Sequence, residues 1–203
     1  MEAKIKNILL ALVLGSLLQA CSADKLAPHE YAAWVEDPGN GLRSVVAMGA
    51  YHFELQMHPA PYMLARENVA EEAREQRLSE LSEHLYFELK LASGNGHTPF
   101  LHTDVNSQEE YNQRLDYYAF HVARDLKLAI GDDTLTCAYH HFERNYGMAP
   151  YSKLLAVFPI NPQDLKDDPV FIYQDQMLGT GPVSFAIDQR AIKNIPELKT
   201  SQG

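Results

Sequence analysis

Two short patterns in this chain have the residue types and spacing to hold a metal ion. His52 with Glu54, and His141 with Glu143, are His-x-Glu pairs in stretches that alternate apolar and polar residues. On a β-strand, residues i and i+2 point to the same face, about 6.6 Å apart along the backbone. Two such side chains can reach one ion, and both residue types ligate zinc. Were the two strands neighbours, His52, Glu54, His141 and Glu143 would form a four-ligand zinc site suited to metal binding or metal-dependent hydrolysis. The plainer reading is the solvent face of an antiparallel sheet. His141 shares its strand face with Leu135 and Tyr139, which also suits a hydrogen-bonded core histidine.

Other chemistry has less to stand on. No Gly-x-Ser-x-Gly elbow occurs, so the usual setting of a serine nucleophile is missing. Asp132-Asp133 and Asp167-Asp168 fall in turns, where Asp bonds the local backbone. Gly179-Thr180-Gly181 lacks the Lys-Ser/Thr of a phosphate loop and runs into Pro182. The chain is rich in aromatics, with 11 Tyr and 8 Phe. Tyr139, Tyr146 and Tyr151 are candidates for an exposed glycan- or protein-binding surface. The first expectation is therefore a non-enzymatic binding protein without a cofactor. A zinc protein and a glycan-binding module are the alternatives.

The elements that position these residues follow from periodicity. Leu42–Met48 and Tyr51–Met57 predict a hairpin around Gly49-Ala50, with Tyr51, Phe53, Leu55 and Met57 on one face. Pro59 ends the second strand, and Pro61 suits the first turn of a short helix over Tyr62–Glu67. Asn68 and Glu71 form a cap pair that opens a charged surface helix to His84. Leu85, Phe87, Leu89 and Leu91 mark the next strand. Ser107 with Glu110 is a capping box, so a helix starts there. From Tyr118, the alternation of Phe120, Val122, Leu126, Leu128 and Ile130 predicts a strand. After Gly131-Asp132-Asp133, one strand over Thr134–Arg144 returns. Strands at Lys153–Ile160, Val170–Gln174 and Val183–Ile187 complete the count, with a docked tail at Ile192, Ile195 and Leu198. The fold class is α+β and β-rich: a mainly antiparallel sandwich or curved sheet with two or three peripheral helices.

The N-terminus has its own logic. Lys4 and Lys6 precede an apolar run, Ile8 to Leu18, that is too short for a spanning helix of ~20 residues. A basic start, a short apolar run and a small residue before the cut make a signal peptide over 1–20. Residues 21–40 then form a tether, in which Tyr31, Ala32, Trp34 and Val35 predict a short docked helix. A single β-rich domain fills 41–203. With a net charge of −10, the chain repels phosphate backbones, which argues against nucleic acid as a partner. Cys21 and Cys137 are the only cysteines. Cys137 sits in an apolar stretch and reads as a small buried hydrophobe.

Leu18-Gln19-Ala20-Cys21 resembles the lipobox of bacterial lipoproteins, apart from Gln19, which is larger than the usual residue there. The resemblance implies lipidation of Cys21 (diacylation on sulfur, acylation of the new amino group, hence palmitate-type chains). Several chains hold a protein stably on a membrane. Ser22 is not the Asp of inner-membrane retention, so the resemblance implies the outer membrane, at its periplasmic face or at the cell surface. Another envelope protein is the expected partner. Asp132-Asp133-Thr134-Leu135-Thr136-Cys137 and His141-Phe142-Glu143-Arg144-Asn145-Tyr146-Gly147 are similar to stretches of an uncharacterised group of bacterial lipoproteins. That likeness implies a shared fold and an anchor, and assigns no catalytic residue.

Overall fold

The computed structural model describes residues 25–199. Two antiparallel sheets form the framework. The first runs β1 (Arg43–Met48), β2 (Tyr51–His58), β3 (Leu85–Ser93), β7 (Tyr151–Phe158), β6 (Tyr139–Glu143) in spatial order. The second runs β5 (Asp133–Thr136), β4 (Leu126–Ile130), β8 (Val170–Gln174), β9 (Pro182–Ala186). Alternation drives their association. Phe53, Leu55, Phe87, Leu89, Leu91, Leu154 and Phe158 share the inner face of the first sheet and are fully buried. They meet Leu126, Leu128, Phe171, Tyr173, Val183 and Phe185 of the second. Aromatic rings interlock across the gap: Phe87 and Phe171 lie 5.5 Å apart, Phe158 and Phe171 5.9 Å, and Phe53 and Tyr173 6.3 Å. Tilted and edge-on ring pairs of this kind add to the area they bury.

Helices flank this sandwich. Helix α1 (Pro28–Glu36) starts with Pro28 in its first turn, and the Glu30 carboxylate accepts from the Ala27 N–H at 2.9 Å. It buries Tyr31 and Val35 in the main core. The short docked helix expected at Tyr31, Ala32, Trp34 and Val35 is thus present. Leu26 and Leu198 pair as a parallel bridge, which ties the described N-terminal end to the C-terminal tail.

Helices α2 (Ala60–Ala65) and α3 (Arg74–Ser82) leave the first sheet after His58 and fold back onto its outer face. Leu64 and Leu81 cover Tyr86 and Val157 in a small second core. Asn68 caps nothing here: a 3-10 turn, Glu71–Ala73, leads into α3. Arg77 of α3 instead grips Glu67 through two contacts of 2.7 Å, a bidentate pair that ties the α2–α3 connection to α3.

Two other segments depart from the expected course. Helix α4 (Gln108–Asp116), capped by Ser107 as expected, does not give way to a strand at Tyr118. It continues as a π-helical turn, Tyr117–His121, then a 3-10 turn, Val122–Asp125. Tyr117, Tyr118 and Val122 are buried while Phe120 is 71 % exposed, a helical face rather than an alternating one. Hydroxyl bonds hold it: Tyr117 donates to Asp125 at 2.8 Å, and Tyr118 donates at 2.9 Å to Tyr173, which in turn donates to Asp175.

The expected single strand over Thr134–Arg144 is two strands in different sheets. The Cys137 N–H still bonds Leu126 of the second sheet, whereas the Ala138 N–H bonds Val157 of the first. The handover shifts the side-chain parity. Cys137 and Phe142 are both buried, and Tyr139, His141 and Glu143 face solvent. His141 is therefore not a core histidine. Finally, α5 (Gln189–Lys193) docks through Ile192.

Candidate functional site

The two His-x-Glu pairs do not meet. β2 and β6 are separated by β3 and β7. Three inter-strand steps make about 14 Å. His52 is exposed between Ala47 and Ala92. Glu54 is held by Arg43 at 2.6 Å and Lys90 at 3.8 Å. His141 lies beside Leu155, and Glu143 beside Lys153, both on the free outer edge. The zinc reading of His52, Glu54, His141 and Glu143 fails on this topology. No group of three or more His, Cys, Asp or Glu side chains is placed to hold an ion among the described residues.

The three tyrosines do not form one platform either. Tyr139 pairs with Val157 and Tyr151 with Ala92, at opposite ends of β7. Six residues separate these positions on β7, roughly 20 Å. Tyr151 lies under the Lys90 ammonium at 4.6 Å. Tyr146, with φ of 52°, stands in the β6–β7 loop, 74 % exposed beneath the Arg144 guanidinium at 4.7 Å. Met148 beside it is 85 % exposed. Asn145 folds this loop by donating to the Ala149 and Tyr151 carbonyls and accepting from the Gly147 N–H. Cys21 lies outside the described residues.

What the register does assemble is a polar basin of about 340 Å³ on the outer face of the first sheet, walled by α1 and α2. β2 places Glu54, Gln56 and His58 on this face in succession. Across the register, Gln56 pairs with Glu88, and Glu54 with Lys90. Two of the carboxylates here have close donors: Lys153 bonds Glu88 at 2.8 Å, and Tyr62 donates to Glu36 at 2.6 Å. Gln56 donates to the Val35 and Leu42 carbonyls, which pins α1 to the sheet.

His58 closes the floor, 4 % exposed and 4.7 Å from the Tyr62 ring. Burial pushes its imidazole down to about 4. Glu88 and Glu36 oppose the shift; Arg66 and Lys153 add to it. The ring is therefore neutral at pH 7, with one nitrogen free to donate and one to accept. Burial, with the bond to Glu36 next, raises the Tyr62 phenol to about 12. The basin thus offers hydrogen bonds and balanced charge, without a positioned nucleophile–base pair.

The sequence carried a partial signal for it. The alternation that places His52 with Glu54 continues to Gln56 and His58 on the same face. The contribution of α2 comes only from its fold-back over the sheet. No helix among the described residues is long and apolar enough to cross a membrane. No protein-family model, no curated protein and no solved structure matches the chain.

Proposed function

We propose that this chain is an exported lipoprotein, anchored through Cys21 at the outer membrane, that binds or supports another envelope or surface protein without catalysing a reaction. The observation that carries the reading is the placement of the β6–β7 loop. α1 and α2 gather at the His58 end of the first sheet; the loop bearing Tyr146 and Met148 lies at the Tyr51 end. Eight residues of β2 set the ends roughly 24 Å apart. Lys25, four residues after Cys21, is already part of the docked N-terminal segment. A lipid on Cys21 would hold the α1 end against the bilayer and present Tyr146, Met148 and Arg144 outward. Exposed Tyr, Met and Arg are side-chain types enriched at protein interfaces.

The test combines fractionation with crosslinking in the native host. Wild-type chain is expected in outer-membrane fractions, and Cys21→Ala in another fraction. A photo-crosslinker at Met148 is expected to give one discrete adduct, and the same crosslinker at Glu72, on α3's approach, none. Equal fractionation of wild type and Cys21→Ala would overturn the anchor, and adducts alike from both positions the docking end.

A further inference from the structure

A second depression adjoins the polar basin. It is a slot of about 300 Å³ between α1 and α2, walled by Pro28, Tyr31, Ala32, Ala65 and Leu198. Slot and basin share two residues, Tyr62 and Arg66, so they form one bipartite cleft. One half is lined by hydrocarbon and aromatic carbon, the other by hydrogen-bonding and charged groups.

The charges in the cleft are unevenly committed. Glu36, Glu54 and Glu88 each have a donor within 2.8 Å. Among the cations, Arg43 and Lys153 are paired with carboxylates. Arg66, at the C-terminal end of α2, has no carboxylate within ion-pair distance among the described residues; its guanidinium lies 5.7 Å from the Tyr62 ring centroid. It stands at the junction of the two halves. His58, 4 % exposed, lines the basin beside it. Tyr31 contributes ring carbon to the wall of the slot.

We propose that the cleft binds a single-chain monoanionic amphiphile, a fatty acid, with its chain in the slot and its carboxylate on Arg66. One guanidinium matches one carboxylate in a two-pronged pair. A dianionic phosphate monoester would leave a second charge facing Glu36, Glu54 and Glu88. The polar basin receives the water or hydroxyl groups around the head, where neutral His58 supplies a donor or an acceptor. This site is independent of Cys21, whose amide- and ester-linked chains carry no anion for Arg66.

The experiment uses the full chain in a non-ionic maltoside detergent with lauric acid labelled with carbon-13 at the carboxyl. Wild type is expected to show a carboxyl resonance separate from that of micellar lauric acid, titrating at lower pH because of the guanidinium. Arg66→Gln, at an exposed position, is expected to weaken binding at least tenfold. Ala65→Trp, also exposed, is expected to fill the slot and abolish the signal with an unchanged far-UV spectrum. Dodecanol is expected not to compete at equal concentration, and dodecyl phosphate to compete at least tenfold more weakly than lauric acid. Absence of a separate resonance would overturn the proposal, as would a resonance that survives both substitutions. Equal competition by dodecanol or by dodecyl phosphate would overturn the assignment of the carboxylate to Arg66.

Discussion

His58 makes the stability of this fold depend on pH in a definite window. Its imidazole is buried against Tyr62 and faces Glu88 from β3, Lys153 from β7, Glu36 from α1 and Arg66 after α2. Burial dominates and holds the folded-state value at about 4, against ~6.5 in an unfolded chain. Between those values the unfolded state binds more protons. His58 therefore supports the fold fully above pH ~6.5, and this support is lost as the pH falls toward 4. By linkage, the loss is roughly 1–1.5 kcal/mol at pH 5.5 and about 2–3 kcal/mol at pH 4.5. Carboxylates titrate in the same range, so the comparison must be differential. His58→Phe keeps the ring against Tyr62 and removes the titration. Urea unfolding of both proteins at pH 7.5 and 4.5 reads the difference. The expected outcome is that wild type loses about 2–3 kcal/mol more than His58→Phe on acidification. Parallel losses within about 0.5 kcal/mol, or an NMR titration of His58 near 6.5, would refute the reasoning.

Three further outcomes are expected. Phe87→Ala removes the ring set between Phe158 and Phe171; it is expected to cost about 3–5 kcal/mol in urea unfolding. Asp175 accepts from the N–H groups of Met177, Leu178 and Thr180 and from the Tyr173 and Thr180 hydroxyls. Asp175→Ala is expected to cost about 2–3 kcal/mol and to speed hydrogen exchange in the β8–β9 loop. Cys137 is buried, its Sγ donating to the Tyr139 carbonyl at 3.0 Å, and burial raises its thiol. Iodoacetamide at pH 7.5 is expected to leave it unmodified in the native protein and to label it in urea.

The strands that build the inner face were legible because their side chains alternate: Tyr51 to Met57 and Leu85 to Leu91 are strands, although α2, α3 and α1 bury part of the outer face as well, at Gln56 and Tyr86. Parity failed where backbone geometry changed beneath it. Tyr118, Phe120 and Val122 fit an alternating count, yet the π turn and the 3-10 turn after it bury Tyr118 and Val122 and turn Phe120 outward. At Cys137-Ala138 no Gly or Pro marks the passage between sheets; only the change of hydrogen-bond partner, from Leu126 to Val157, reveals it. His141 and Glu143 lost their place opposite His52 and Glu54 for a related reason. Strand order is a long-range property, and two strands stand between them. The bipartite cleft was the least visible feature. Arg66 is one charged residue in a charged stretch, and it gains meaning only when α2 folds back beside α1.

The anchor is the claim on which the proposed function turns, and an intact mass tests it most directly. The protein is purified from envelope membranes of its native host and weighed whole, with fragmentation of the N-terminal peptide. The expected species begins at Cys21 and carries a diacylglyceryl group on sulfur and a third acyl chain on nitrogen. A chain that keeps residues 1–20, or one that begins at Cys21 with a free thiol, would contradict it.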